Sequence, residues 1–268
     1  MFMLSAHARA SVEILTLEHD GIIGTYYKTA QTNANNPILV LGGSEGGIPE
    51  KLAKSVADAG HATLAIAYFN KGDLPTELEE IPLEYFEKAK TWLQQKHPEA
   101  KYITLVGWSK GAELSLLLAS KDSTFNRVVA IAPSSVVWAG ILKDWQKVPS
   151  SSWTEGGSAL PFVSFNPTGH VAGLRDLYAQ SLENRNDKNK ATISVQDING
   201  DVVLYSGGKD EIWPSSDMAK AICENMAKNN SSNCSHFDFP ELRHLLDYKF
   251  LDKSDALYTH FTSHLAAN

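Results

Sequence analysis

Gly107-Trp108-Ser109-Lys110-Gly111 constrains this chain more than any other stretch. Just before it, Tyr102-Ile103-Thr104-Leu105-Val106 is a short, β-branched apolar run of the kind that forms a strand buried on both faces. After it, the residues from Ala112 to Ala119 are strong helix formers without Gly or Pro. A serine between the two sits on a sharp strand-to-helix turn, with its hydroxyl exposed and its backbone strained. Gly107 and Gly111 are required because a side chain at either place would strike the adjoining strand or helix. The backbone N–H of Lys110, at the helix N-terminus, then faces the point where an oxyanion would form.

The rest of the chain alternates strand and helix patterns. Val12–Glu18 and Ile22–Lys28 read as an antiparallel pair turned at Asp20-Gly21. Pro37–Leu41, His61–Tyr68, Arg127–Ala132, Val202–Tyr205 and His236–Phe239 read as strands, besides the one leading to Ser109. Pro49–Ala59, Ile81–Gln95, Val171–Asn184, Ser215–Lys228 and Ser254–Ala267 read as helices. Such alternation implies right-handed crossovers and a mostly parallel central sheet with helices on both faces. The pattern breaks over about 134–191, where Trp138, Trp145, Trp153 and several Pro, Gly and Ser residues interrupt any periodicity. The expectation is one α/β domain over 1–268, with a lid-like insertion at about 134–191 leaving from the ligand-binding ends of the strands. The insertion's tryptophans read as core packing before they read as an acyl-pocket lining.

At 268 residues and 43% hydrophobic, the chain can bury a sizeable core. A net charge of -7 without any Lys/Arg run argues against nucleic acid as a partner. No apolar stretch reaches the length of a membrane span. Met1–Ala8 is too short for a complete signal peptide and reads as an ordinary frayed start, although Ala6-His7-Ala8 resembles a cleavage site. Cys223 and Cys234 lack metal-ligand spacing and read as free thiols, a disulfide being the reading if the protein is exported. The expected compartment is therefore the cytoplasm.

A serine hydroxyl needs a base, and a base of the histidine type needs an acid to orient it. The elbow resembles that of the α/β-hydrolases, in which acid and base follow the serine in that chain order. Asp210 is the expected acid, in a loop that leaves a strand through Ser206-Gly207-Gly208, with Glu211 as its competitor. His244 is the expected base, in the loop after the strand ending near Phe239. His236 would lie within that strand, His170 precedes the acid, and His260 and His264 read as surface residues of the last helix. A second oxyanion donor is expected from the loop Gly42-Gly43-Ser44-Glu45-Gly46-Gly47, Ser44 before Glu45, joining the Lys110 N–H. That loop lacks the Gly-Lys-Ser/Thr ending of a phosphate-binding loop.

Several segments together resemble one family. They are Leu41–Gly47, Gly107–Glu113, Ser152-Trp153-Thr154, Leu160-Pro161-Phe162, Ser206–Ser215, and Phe239-Pro240 followed by His244. These resemble the C-terminal catalytic domain shared by acyl-CoA thioesterases and bile acid-CoA:amino acid N-acyltransferases, within the α/β-hydrolase superfamily and close to the dienelactone hydrolases. The resemblance implies an α/β-hydrolase fold, with Ser109 as nucleophile, Asp210 as acid and His244 as base, and no cofactor or metal. The conjugating members carry cysteine at the elbow, so Ser109 implies water as the acyl acceptor. The implied function is a serine hydrolase cleaving an ester or thioester, acyl-CoA thioesterase-like, on a small-molecule ester or acyl-CoA substrate. The alternatives are a small-molecule carboxylesterase of the dienelactone hydrolase type, or a non-catalytic binder on the same fold. Two departures stand out. Larger members carry an additional β-rich N-terminal domain where this sequence has a strand pair, and Arg243 precedes His244 where many relatives have Gly.

Overall fold

The computed structural model describes residues 11–28, 36–144, 146–185, 190–228 and 233–266. The Met1–Ala8 start, Trp145 and Ala267 lie outside them. Eight strands form the main sheet: β1 Ser11–Leu15, β2 Ile23–Lys28, β3 Ile38–Leu41, β4 Thr63–Ala67, β5 Thr104–Trp108, β6 Arg127–Ile131, β7 Asp201–Gly207 and β8 Cys234–Phe239. Their order across the sheet is β1-β2-β4-β3-β5-β6-β7-β8. β1 and β2 run antiparallel to their neighbours, and all the other pairs are parallel.

The middles of the central strands are continuously apolar because both faces are covered. Leu39, Leu41, Leu105, Val128, Ala130 and Leu204 point to one side. There they meet α2 (Glu84–Lys96), α3 (Lys110–Lys121) and α5 (Ser215–Met226) through Phe86, Leu93, Leu114, Leu118 and Ile222. Ile38, Val40, Val106, Val129, Ile131 and Val203 point to the other. They meet α1 (Glu50–Asp58) and α6 (Ala256–Ser263) through Leu52, Val56, Leu257 and Phe261. The period of two along each strand sorts these side chains between the faces. Each fully buried Leu, Ile or Val contributes about 1.5–3 kcal/mol.

Residues 134–191 lie between β6 and β7. They hold the helix α4 (Leu174–Glu183) and a small sheet in which Trp153–Glu155 pairs with Ser158–Ala159 and with Ile81–Pro82 from outside the segment. Val136, Trp138, Val163 and Tyr178 form a separate apolar cluster with Trp213 and Met218. Trp138 and Trp153 are both wholly buried.

Several expectations need correction. The link between β1 and β2 is not a two-residue turn but a helical turn, Leu17–Asp20. Thr16 caps it by accepting from the His19 N–H, and Gly21 closes it at φ 69°. The second helix begins at Glu84 rather than Ile81, because Ile81-Pro82 is drawn into pairing with Trp153-Thr154. Cys223 and Cys234 are not free thiols but a disulfide, with Cα atoms 5.2 Å apart. The last turn of α5 folds back on the start of β8 and brings the two together, which removes the ground for a cytoplasmic expectation. His260 and His264 are half-buried rather than surface residues, their Nδ1 atoms 3.0 and 3.1 Å from the Tyr205 hydroxyl. Before α6, the 3-10 segment Leu246–Leu251 was not anticipated. Leu246, Asp247 and Tyr248 there all take left-handed backbone angles.

Candidate active site

Ser109 sits between β5 and α3 at φ 52° and ψ -121°, a strained backbone for a residue with a side chain. Its N–H donates to the Ile131 carbonyl at 2.9 Å. The two flanking glycines make the turn possible. A Cβ on Gly107 would lie 2.2 Å from the Gly111 carbonyl oxygen, and one on Gly111 would lie 2.2 Å from that of Leu41. β5 and α3 therefore pack backbone to backbone, which lifts the serine off the end of the strand.

The loops after β7 and β8 bring two further residues to this point. His244 Nε2 is 2.9 Å from Ser109 Oγ, and His244 Nδ1 is 2.9 Å from both carboxylate oxygens of Asp210. Asp210 is 1% exposed and also accepts from the N–H groups of Ile212 and Trp213 and from the Ser215 hydroxyl. A carboxylate surrounded by donors accepts from Nδ1–H, which leaves the Nε2 lone pair facing the serine hydroxyl. Glu211, the competitor, accepts the His244 backbone N–H at 3.2 Å and so supports the loop rather than the ring. His236 is engaged with Ser206 Oγ at 2.7 Å, and His170 lies exposed in the inserted segment.

The glycine-rich loop is held over Ser109 by contacts that sequence reasoning missed. The Tyr68 hydroxyl donates to the Gly42 carbonyl at 2.6 Å. The Glu45 carboxylate accepts from the Gly43 N–H at 3.0 Å and from Trp108 Nε1 at 2.7 Å. A Cβ on Gly43 would come within 3.2 Å of Ser109 Cβ, so only glycine lets the loop approach this closely. Ser44 and Glu45 line the same cavity as Ser109 and His244. The Lys110 side chain is engaged elsewhere. It is wholly buried, and its Nζ lies 2.7 Å from both oxygens of Glu113. Burial pushes its ammonium down and the Glu113 carboxyl up, each opposed by the partner's charge. Only the backbone N–H of Lys110 is left to serve an oxyanion.

The cavity beside Ser109 and His244 has a volume of about 810 Å³. Most of its wall is apolar and comes from the inserted segment, through Ile141, Leu142, Val148, Phe165, Leu174 and Leu177. That segment is tied to the Asp210 loop by Arg175, whose guanidinium donates to the Asp210 carbonyl at 2.9 Å and the Trp213 carbonyl at 3.3 Å. The Trp213 ring packs edge-on against His244, centroids 5.5 Å apart. Arg175 and Ser215 carry no periodic or motif signal of their own. Trp213-Pro214-Ser215 stood out only as part of the family resemblance. Among the described residues no cluster of three or more His, Cys, Asp or Glu could hold a metal ion, and no helix is long and apolar enough to cross a membrane.

Residues 81–266 match the family described as "BAAT / Acyl-CoA thioester hydrolase C terminal". The chain belongs to this family. BAAT / acyl-CoA thioester hydrolase relatives include mouse acyl-coenzyme A thioesterase 6, 30% identical over 217 residues, covering 78% of this chain and 48% of the relative. Human acyl-coenzyme A thioesterase 1 is 29% identical over 231 residues, covering 84% of this chain and 52% of the relative. Mouse bile acid-CoA:amino acid N-acyltransferase is 28% identical over 213 residues, covering 78% and 48%. The chain thus spans about half the length of these curated relatives. Two solved structures share its α/β-hydrolase fold. A Pyrococcus furiosus esterase has a TM-score of 0.56 at 13% identity, covering 92% of this chain and 88% of that one. The dienelactone hydrolase of Anabaena variabilis has a TM-score of 0.52 at 15% identity, covering 96% and 97%.

Proposed function

We propose that this chain hydrolyses an ester or thioester of an apolar acyl group through an acyl-enzyme formed on Ser109. The observation that carries this reading is the unbroken hydrogen-bonded series Ser109–His244–Asp210 beside a largely apolar cavity. In the first step Ser109 Oγ attacks the carbonyl carbon while His244 Nε2 takes its proton. Asp210 keeps the imidazole in the required tautomer and stabilises its charged form. The developing oxyanion accepts from the Lys110 N–H and from the N–H of Ser44 or Glu45, each donor contributing about 10²–10³ in rate. His244 then hands its proton to the leaving oxygen or sulfur. Water then attacks the acyl carbon as His244 takes one of its protons, and His244 returns that proton to Ser109 Oγ as the Ser109–acyl bond breaks and the carboxylic acid leaves.

Residues 134–191 act in this reading as a lid whose side chains set which acyl groups fit. The thioesterase names of the relatives favour a thioester substrate. The likeness to esterases and a dienelactone hydrolase speaks only for the fold and leaves a carboxylesterase as the second reading. The test is turnover of p-nitrophenyl butyrate by wild type and by Ser109→Ala. Loss of turnover to background with an unchanged melting temperature is expected, and retained turnover would sink the assignment of Ser109.

A further inference from the structure

Three buried side chains that carry polar atoms line the cavity beside Ser109: Ser109 itself, His244 and Tyr178. The other polar lining residues, Ser44, Glu45, Asp144, Lys147, Ser164 and Tyr248, are exposed. Ser109 and His244 are engaged with each other, 2.9 Å apart. Tyr178 takes no part in the proposed steps, yet it is only 5% exposed. It stands on α4 directly after Leu177, which lines the same cavity.

Aromatic neighbours fix its direction. Trp138, Phe165 and Trp213 meet the Tyr178 ring edge-on, with centroids 4.7, 5.2 and 5.6 Å away. A ring clamped on three sides holds its hydroxyl at one place. The polar atoms of those neighbours do not serve it. Trp138 Nε1 donates to Ser134 Oγ at 2.9 Å, and Trp213 Nε1 is sealed off without a partner. Among the described residues the Tyr178 hydroxyl has no hydrogen-bond partner either, but it is not sealed off, and the space this residue lines is the cavity. Burial and the Glu113 carboxylate push its phenol well above the ordinary 10, so the group stays an O–H donor. A buried tyrosine hydroxyl ordinarily finds an acceptor, and here the place left for one is inside the cavity. Trp213 also packs on His244, so a single ring separates this donor from the histidine.

We infer that the Tyr178 hydroxyl is a specificity determinant that donates to one uncharged oxygen, a keto or hydroxyl group, borne by an otherwise apolar acyl chain. This rests on the acyl-enzyme reading above and narrows its substrate class. An unsubstituted chain would cover the hydroxyl without satisfying it, and a site built to hydrogen-bond a substrate disfavours the analogue that lacks the group. A carboxylate on the chain is the wrong occupant. It would need a buried cation, and the one cationic side chain in the described wall, Lys147, is exposed.

The experiment compares p-nitrophenyl octanoate with the p-nitrophenyl esters of 4-, 5-, 6- and 7-oxooctanoic acid, after subtraction of uncatalysed hydrolysis. All five share one leaving group and differ only in the chain. Wild type should show kcat/KM at least about ten-fold higher for one or two adjacent oxo positions than for the octanoate. Tyr178→Phe keeps the ring and removes the donor. It should lower the favoured oxo ester about ten-fold and raise the octanoate about two-fold, so that the preference vanishes. A merely structural role would lower all five esters together. That result, or a wild type that favours no oxo position, would overturn the inference. Titration calorimetry of the corresponding methyl esters into Ser109→Ala reads the subsite without turnover. The favoured oxo ester should bind about ten-fold tighter than methyl octanoate, and equal affinity would also overturn the inference. Tighter binding of the oxo ester by a chain that turns over no ester would sink Ser109 as nucleophile and leave the subsite standing. Ser109-dependent turnover of the octanoate without any oxo preference would do the reverse.

Discussion

The ammonium of Lys110 lies 2.7 Å from both carboxylate oxygens of Glu113, one helical turn after Ser109 and wholly inside the protein. Glu113 also accepts from the Trp138 N–H at 3.2 Å and from Trp153 Nε1 at 2.8 Å. Lys110 Nζ stands 5.4 Å over the Trp153 ring. The pair therefore bolts the elbow helix to the segment that walls the cavity beside Ser109. Glu113→Gln leaves a buried ammonium without its counter-charge and should cost about 3–5 kcal/mol, read from urea unfolding. Lys110→Met combined with Glu113→Gln removes the unpaired ammonium, keeps an amide oxygen for the two Trp donors, and should recover most of that loss. A double variant as unstable as the single one would show that the charges are not the cause.

Asp210→Asn keeps the shape of the acid but offers His244 Nδ1 an amide. The imidazole then loses both its tautomer preference and its stabilised cation. kcat should fall by about 10⁴ with little change in KM. A fall below about ten-fold would remove Asp210 from the role proposed for it.

Arg175 touches neither the serine nor the histidine, yet its guanidinium holds the carbonyls of Asp210 and Trp213. In the proposed mechanism it is a positioning residue that ties α4 to the Asp210 loop. Arg175→Met should lower kcat about ten-fold, which corresponds to about 1.4 kcal/mol, and leave KM nearly unchanged. A change confined to KM would mean that Arg175 shapes the cavity instead.

Asp58 bridges Lys54 in its own helix and Lys253 in the approach to α6. Burial pushes its carboxyl up, but hydrogen bonds and charge from the two lysines outweigh this and hold it below the ordinary 3.8. With the folded value depressed, the stabilisation is present above the unfolded value and lost as pH falls through the folded one. The melting temperature of wild type should therefore exceed that of Asp58→Asn near neutrality, and the gap should close on acidification below about pH 4. A gap that persists at about pH 2 would contradict this.

The elbow and the two loops that meet it were legible because each is a local event. An apolar strand ends, a glycine or polar loop begins, and one chemically distinctive residue follows. What escaped the sequence depends on contacts between distant segments. Nothing near Glu45 says that its carboxylate will fold back on Gly43 and reach Trp108. The resemblance marked Lys110 and Glu113 but not their ion pair. Ile81-Pro82 looks like the start of a helix until Trp153-Thr154 arrives to pair with it. Cys223 and Cys234, eleven positions apart, reveal a disulfide only once α5 has folded back on β8. His260 and His264 look exposed on a helical wheel, because the wheel does not show Tyr205 standing beneath them. Much of the wall of the cavity beside Ser109, from Gly140 to Pro149 and at Ser164-Phe165, comes from irregular backbone, where no periodicity announces which side chains turn inward.

The central claim is that Ser109 is an activated nucleophile. Reaction with a serine-directed fluorophosphonate, followed by peptide mapping by mass spectrometry, tests it without any assumption about the substrate. The account predicts a single adduct on Ser109, absent from Ser109→Ala and strongly slowed in His244→Ala. No adduct on the folded wild-type chain, or one on a different residue, would contradict it.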